Sequence, residues 1–287
     1  MKSLTIVGGT GFFGKSFIEN FQQNKLQKYG INKLIIISRG KIKFSKKLRK
    51  KILYIKADSK KLSKLPETDF YIFAATSSNK KNYEKNVSNE INNIVQGIKN
   101  FLHLIHKQRL SKSKFLFLSS GAVYGANNKK LKLSEKNKIS ISMINNLPNE
   151  KKFYALEKLN SELMIKEFSK KYGYKFSIAR CFAFYGNFLP INGHFFLSNV
   201  FKSIINKTSI NLESKNLNNV YRSFMHTDDL IEWLIKINKI ANKTAPIYNV
   251  GSDKFLSLYN FLKLFLKKKK IKLNLVKLKK NIQKINI

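Results

Sequence analysis

The chain has 287 residues, 43% apolar and 25% charged, with a formal net charge of +40 and a single cysteine. That composition supplies a folded core and excludes both a disordered chain and a small disulfide-stapled fold. Five arginines (39, 49, 109, 180 and 222) leave 51 of the 56 basic residues as lysine. Lys, Asn, Ile and Phe all have AT-rich codons, and the basic residues run along the whole chain, so the charge reads as base composition rather than a nucleic-acid footprint. No specific nucleic-acid partner is expected. The four histidines and Cys181 have no zinc-ligand spacing, so no metal site is expected.

Short apolar runs alternate with amphipathic stretches. Leu4 to Val7, Leu34 to Ile37, Ile52 to Ile55, Phe70 to Ala74, Phe115 to Leu118 and Phe176 to Ala179 read as strands. Phe12 to Leu26 and Glu84 to His106 read as helices between them, and another is expected to open near Glu150. This rhythm predicts an α/β fold, a doubly wound parallel sheet with ligands beyond the carboxyl ends of its strands. The dinucleotide-binding part is expected over 1–180, with a polar, irregular insertion at 127–149. A smaller substrate lobe is expected over 181–287, part of it returning to the sheet. The Lys-rich tail from Lys267 is either a last helix and strand or partly frayed. No run approaches the ~18 apolar residues of a membrane span, and MKSLTIVGG is too short in its apolar part for a secretion signal. A cytoplasmic protein with no membrane partner is expected.

Directly after the first strand comes Gly8-Gly9-Thr10-Gly11-Phe12-Phe13-Gly14, opening a helix. A pyrophosphate needs a tight turn, a face without side chains and a helix N-terminus with its positive dipole end. Strand-to-helix placement makes Gly8, Gly11, Phe12, Phe13 and Gly14 a dinucleotide-binding turn. The second strand ends Ser38-Arg39, and there is no Asp or Glu between Glu19 and Asp58. An acid at that point would bind the ribose hydroxyls of NAD, whereas arginine suits the 2′-phosphate of NADP, so NADP(H) is preferred and NAD(H) remains possible. Asp58 is placed either to accept from the adenine amino group or to cap a helix. Ala74 and Ala75 end the fourth strand with small side chains, which lets backbone approach a cofactor.

After the fifth strand stands Ser119-Ser120-Gly121-Ala122-Val123-Tyr124-Gly125, and Tyr154-Ala155-Leu156-Glu157-Lys158 follows on a helix. The i, i+4 spacing puts Tyr154 and Lys158 on one face, where an ammonium is expected to favour the tyrosinate. Ser120 would hold the substrate oxygen that exchanges the proton.

At these residues the chain resembles the extended short-chain dehydrogenases/reductases of the NAD-dependent epimerase/dehydratase type, which act on nucleotide sugars. The resemblance covers roughly residues 2 to 265. Its glycine fingerprint falls on Gly8, Gly11 and Gly14, and its Ser-Tyr-Lys triad on Ser120, Tyr154 and Lys158. Asn86-Val87 is similar to the Asn-Val of the family's fourth helix, and Arg180 to Gly186 to the passage into the sugar lobe. Tyr221 to Leu230 resembles the family's Arg-Asp-Tyr-Ile-His-Val-x-Asp-Leu stretch. The resemblance implies hydride transfer between nicotinamide and a sugar carbon, usually C4. Tyr154 would exchange the proton and Lys158 would hold the nicotinamide ribose. It also implies that Arg222 pairs with the substrate diphosphate, while Asn199 either contacts the same substrate or caps a helix, and His226 is structural.

The 4,6-dehydratases of the family carry Thr-Asp-Glu where this chain has Ser120-Gly121-Ala122. A dehydratase is therefore disfavoured. A 4-keto-sugar reductase is preferred slightly over a 4-epimerase with tightly held NAD, and a non-catalytic or RNA-associated relative is the remaining alternative. The insertion is longer than usual in the family, and the stretch after Val250-Gly251-Ser252 is short, which implies a more open sugar pocket. Family members often dimerise through a four-helix bundle, which implies a homodimer built on Asn86 to His106 and Glu150 to Lys171.

Overall fold

The computed structural model describes residues 1–42, 50–76, 80–126, 132–191, 195–206, 210–212, 217–268, 274–277 and 283–286. The first half runs β1 (Lys2–Val7), α1 (Phe12–Gln22), β2 (Ile31–Ser38), β3 (Ile52–Lys56), β4 (Phe70–Phe73), α2 (Lys80–Lys85), α3 (Val87–Lys107) and β5 (Lys114–Ser120). It continues through α4 (Ile141–Asn145), α5 (Asn149–Tyr172), β6 (Lys175–Cys181), β7 (Ala183–Tyr185), α6 (Phe196–Ile205) and β8 (Ile210–Leu212). Then come β9 (Tyr221–Arg222), β10 (Phe224–His226), α7 (Thr227–Lys239), β11 (Ile247–Val250), β12 (Leu256–Ser257), α8 (Leu258–Lys268), β13 (Asn274–Lys277) and β14 (Gln283–Asn286).

Seven strands form one parallel sheet in the order β11-β6-β5-β4-β1-β2-β3. The chain moves outward from β1 to β3, then returns to β4 on the other side, so the strand order reverses between β1 and β4. In such sheets the crevice at that reversal receives the ligand. Every expected strand is present, each within a few residues of its apolar run. The helical stretch 84–106 is broken at Asn86, whose extended backbone caps α3 and whose side chain accepts a hydrogen bond from the Asn89 N–H at 2.9 Å. The stretch expected to be irregular contains a short helix, α4, with Ile144 fully buried; residues 127–131 lie outside the described ones.

The sheet is covered on both faces. Helices α3 and α5 pack on one side and α1 and α7 on the other. On the α3/α5 side the register sets Tyr71 opposite Phe115 and Phe115 opposite Phe176. Their rings stack at 5.0 and 4.9 Å between centroids. A one-residue slip of any strand would send these rings to the opposite face, so the aromatic ladder pins the register. With register fixed, the carboxyl ends of β1, β4, β5 and β6 align, and Gly8, Ala74, Ser120 and Cys181 come to one rim.

The described residues form two compact units: those within 1–126, 133–182 and 227–250 make up the first, and those within 127–132, 183–226 and 251–287 the second. The first holds the whole seven-stranded sheet. The second has its own apolar core, in which Val200, Leu217, Leu258, Leu262 and Leu266 pack together. Within it, β7 pairs with β10, β9 with β12, and β14 lies between β8 and β13.

Candidate active site

The turn after β1 is shaped by two glycines that tolerate no side chain. Gly8 has φ of +95°, and a Cβ there would stand 2.6 Å from the Ala74 carbonyl and the Ala75 nitrogen. A Cβ on Gly14 would stand 2.2 Å from the Gly9 Cα and carbonyl oxygen. Gly8 thus lets the turn touch the end of β4, and Gly14 lets α1 pack on the turn. At Gly11 an added Cβ would meet only the Gly8 carbonyl oxygen, at 3.6 Å. That face is open, and no side chain caps α1. An open, side-chain-free face before an uncapped helix N-terminus fits a dinucleotide pyrophosphate. Phe12 and Phe13 are half-buried on the first turn of α1, their rings edge to face at 5.6 Å. Ala74 and Ala75 lie against this turn through their backbone.

At the end of β2 the two expected residues behave differently. Ser38 is 5% exposed, and its hydroxyl donates inward to the Gly40 carbonyl at 3.3 Å. Arg39 points outward, its side chain 67% exposed, with Nη1 3.9 Å from Asp58 Oδ2. Asp58 also accepts from the Lys60 N–H at 3.0 Å, closing a local turn; no helix follows it directly, so its expected capping role is corrected.

The register brings Ser120, Tyr154 and Lys158 together at the rim. Ser120 ends β5 and caps a short 3₁₀ turn over 121–124, its Oγ accepting from the Ala122 N–H at 3.2 Å. Tyr154 stands on the first turns of α5, half-buried, with the Ser120 hydroxyl near its phenol. Lys158 is 1% exposed, with Nζ 5.7 Å from the centre of the Tyr154 ring. The ammonium donates to Thr76 Oγ1 at 2.6 Å and to the Leu118 carbonyl at 2.5 Å.

The electrostatics correct one expectation. Lys158 does not pull the Tyr154 phenol down. Burial pushes Tyr154 up to about 12, opposed by the Ser120 hydrogen bond. Burial likewise lowers Lys158 to about 7, opposed by Cys181 and Glu162. Sequence spacing placed an ammonium beside a phenol; only the packed interior reveals that desolvation is the largest influence on both groups.

The second unit carries the other expected residues. Asn199 lies inside α6, not at its cap, which is Phe195; its capping role is therefore corrected. Arg222 is exposed on β9, with Nη1 donating to the Tyr221 carbonyl at 2.7 Å. His226 packs edge to face on Tyr185 at 5.2 Å, in keeping with a structural histidine. Among the described residues no group of three or more His, Cys, Asp or Glu side chains could hold a metal ion. No helix among them is long and apolar enough to cross a membrane.

Two features escaped the sequence reading. Thr76 is a polar partner of Lys158, and Glu162 forms a buried ion pair with Arg180 at 2.7 Å. The second had a signal available, since Tyr154, Lys158 and Glu162 share one helix face at successive spacings of four. The first had none, because Thr76 reaches Lys158 only through the sheet.

The model of the NAD dependent epimerase/dehydratase family matches residues 4–251. No curated protein matches by sequence. Among solved structures, a UDP-N-acetylglucosamine 4-epimerase from Methanobrevibacter ruminantium in complex with UDP-N-acetylmuramic acid is similar with a TM-score of 0.76 at 21% identity, over 94% of this chain and 82% of that one. A DesIV double mutant, a dTDP-glucose 4,6-dehydratase from Streptomyces venezuelae with NAD bound, gives 0.75 at 18%, over 94% and 81%. A UDP-glucose 4-epimerase from Thermotoga maritima with UDP-glucose gives 0.71 at 17%, over 92% and 82%. At such identities the structural likeness establishes the shared fold. The family match spans the glycine turn, the Ser120 turn and the Tyr154 helix alike, and the chain belongs to the NAD-dependent epimerase/dehydratase family.

Proposed function

We propose that the protein is an NAD(P)-dependent nucleotide-sugar oxidoreductase acting at a sugar carbon, C4, and that it works as a 4-keto-sugar reductase with NADP(H) ahead of NAD(H). The observation that carries the reading is the gathering of Ser120, Tyr154 and Lys158 at the rim that also holds the glycine turn. A bound nicotinamide supplies the hydride. Gly8, Gly11, Phe12, Phe13 and Gly14 hold the pyrophosphate, with Ala74 and Ala75 lining the same edge, and Asp58 lies at the adenine end. Ser120 orients the sugar oxygen by a hydrogen bond. Tyr154, held protonated at neutral pH because burial raises it to about 12, donates the proton to that oxygen. Lys158 binds the nicotinamide ribose. On the second unit, Arg222 is exposed and suited to a diphosphate, and Asn199 is a candidate contact for the same substrate.

The cofactor preference rests on Arg39 and Ser38 at the end of β2, where the family resemblance leads one to look for an acid in NAD users. Arg39 is mostly exposed and carries the charge a 2′-phosphate needs. One observation favours the second reading, a 4-epimerase holding NAD. The Asp58 carboxylate 3.9 Å from Arg39 partly neutralises that charge and offers an acceptor for ribose hydroxyls. We place the protein in the cytoplasm as a homodimer through α3 and α5, which pack side by side, with no specific nucleic-acid partner.

Mass spectrometry of cofactor released from fresh protein, with NADPH and NADH titrations alongside, separates the readings. An empty protein preferring NADPH supports the reductase. Co-purified NAD with weak NADPH binding replaces it with the epimerase. Tyr154→Phe is expected to keep cofactor affinity and lose roughly 10²- to 10⁴-fold in turnover, and unchanged turnover removes the mechanism.

A further inference from the structure

One buried ion pair grips the turn that carries Ser120 from both ends. Glu162 and Arg180 are 1% and 4% exposed. Arg180 meets the carboxylate through Nε at 3.1 Å to Oε1 and through Nη2 at 2.7 Å to Oε2. Ser119, immediately before Ser120, donates its hydroxyl to Glu162 Oε1. Tyr124, at the far end of the turn, accepts from Arg180 Nη1 at 2.9 Å, and its ring lies 4.9 Å from the guanidinium carbon. The Tyr124 hydroxyl in turn is 2.9 Å from Asn249 Oδ1 on β11. Residues 119 and 124 therefore bracket 120–123, Ser119 tied to the carboxylate and Tyr124 to the guanidinium of one ion pair. Glu162 stands on α5 one turn beyond Lys158 and two beyond Tyr154. The same carboxylate thus joins the Ser120 turn to the helix bearing the other two residues.

A buried ion pair is a poor source of stability, because desolvation offsets most of the attraction and apolar replacements often do as well. Its value here is geometric: a planar fork on a carboxylate fixes direction as well as distance. We propose that the Glu162–Arg180 pair is a positioning device which, acting through Ser119 and Tyr124, sets the Ser120 hydroxyl against the Tyr154 hydroxyl. Ser119, Tyr124, Glu162 and Arg180 are then positioning residues for proton transfer. The inference rests on the proposed roles of Ser120 and Tyr154.

Removing Glu162 or Arg180 leaves its partner buried and uncompensated, so the test uses Ser119→Ala and Tyr124→Phe, which each delete one hydroxyl and spare the pair. A crystal structure of the double variant is expected to show Ser120 Oγ displaced away from the Tyr154 hydroxyl relative to the parent; an unmoved Ser120 overturns the proposal, whatever the enzyme's activity. Turnover is read with NADPH and a panel of UDP- and dTDP-linked 4-keto-sugars. Each single variant is expected to lose roughly tenfold in kcat, with KM and NADPH affinity within twofold of the parent. In a Ser120→Ala background neither is expected to cost anything more, because the residue they position is gone. Full additive losses in that background, or parallel changes in KM and NADPH affinity, point to a merely structural role. Failure of Tyr154→Phe to reduce turnover defeats the site assignment instead, and the crystallographic result still decides the positioning.

Discussion

Alanine substitutions at Gly11 and Gly14 should separate a cofactor cradle from a merely compact turn. At Gly14 the new Cβ would lie 2.2 Å from backbone atoms of Gly9, against roughly 3.5–4.0 Å for a relaxed carbon contact. The loop and α1 must part by about 1.3 Å or more, and no rotamer change relieves a Cβ. Overpacking of this kind costs about 1–3 kcal/mol, or several degrees in Tm at roughly 2–4 °C per kcal/mol for a chain of this size. A comparable loss falls on any ligand lying across the turn, so cofactor affinity should drop roughly 10- to 100-fold at 1.4 kcal/mol per tenfold. Gly11 has φ of −79° and only the Gly8 carbonyl oxygen near an added Cβ, at 3.6 Å, so Gly11→Ala should still fold, with a loss of about 1 kcal/mol from the preference for glycine over alanine at a helix cap. Its methyl nevertheless occupies the open face, and NADPH and NADH binding should weaken as much as in Gly14→Ala. Fluorescence titrations with both cofactors, paired with thermal unfolding, read the two effects apart. Parent-like binding by Gly11→Ala would refute the placement of the pyrophosphate on this turn.

Two further outcomes follow from local physics. Burial lowers Lys158 to about 7 in the folded protein, against about 10.4 unfolded, so between those values the unfolded chain binds the extra proton. Stability contributed by this group therefore rises with pH from about 7 to 10, and is lowest below 7, where the buried ammonium is fully charged. Lys158→Met should exceed the parent by an amount on the order of a few kcal/mol at pH 7, shrinking toward zero by pH 10; parallel urea-unfolding profiles across that range would contradict it. Asn86→Ala removes the side-chain acceptor that caps α3 and should cost about 1 kcal/mol in chemical denaturation, while cofactor affinity stays at the parent value.

Local signals made much of the architecture legible. Apolar runs of strand length, with helical stretches between them, defined the parallel sheet, because a strand buried on both faces must be apolar throughout. The glycine turn was equally legible, since only glycine fits where backbone meets backbone at Gly8 and Gly14. Spacing of four along α5 placed Tyr154 beside Lys158. Helix boundaries were less so: Asn86 interrupts an amphipathic pattern that continues through it, because capping depends on backbone angles that hydrophobic periodicity does not encode.

What the tertiary structure alone decided was the balance of forces at the site. Sequence proximity made Lys158 a stabiliser of tyrosinate, yet burial dominates both groups, and desolvation is a property of everything packed around a side chain. Ser38 likewise turned inward and Arg39 outward, although the two are adjacent in sequence. Ser119, Tyr124, Glu162 and Arg180 come from β5, the turn after it, α5 and β6, and converge only when the register of those elements is set. A short pattern can announce a loop or a helix face built from neighbours in the chain. A buried network among four separate elements exists only in the packed fold, where the cost of isolating each charge forces the partners together.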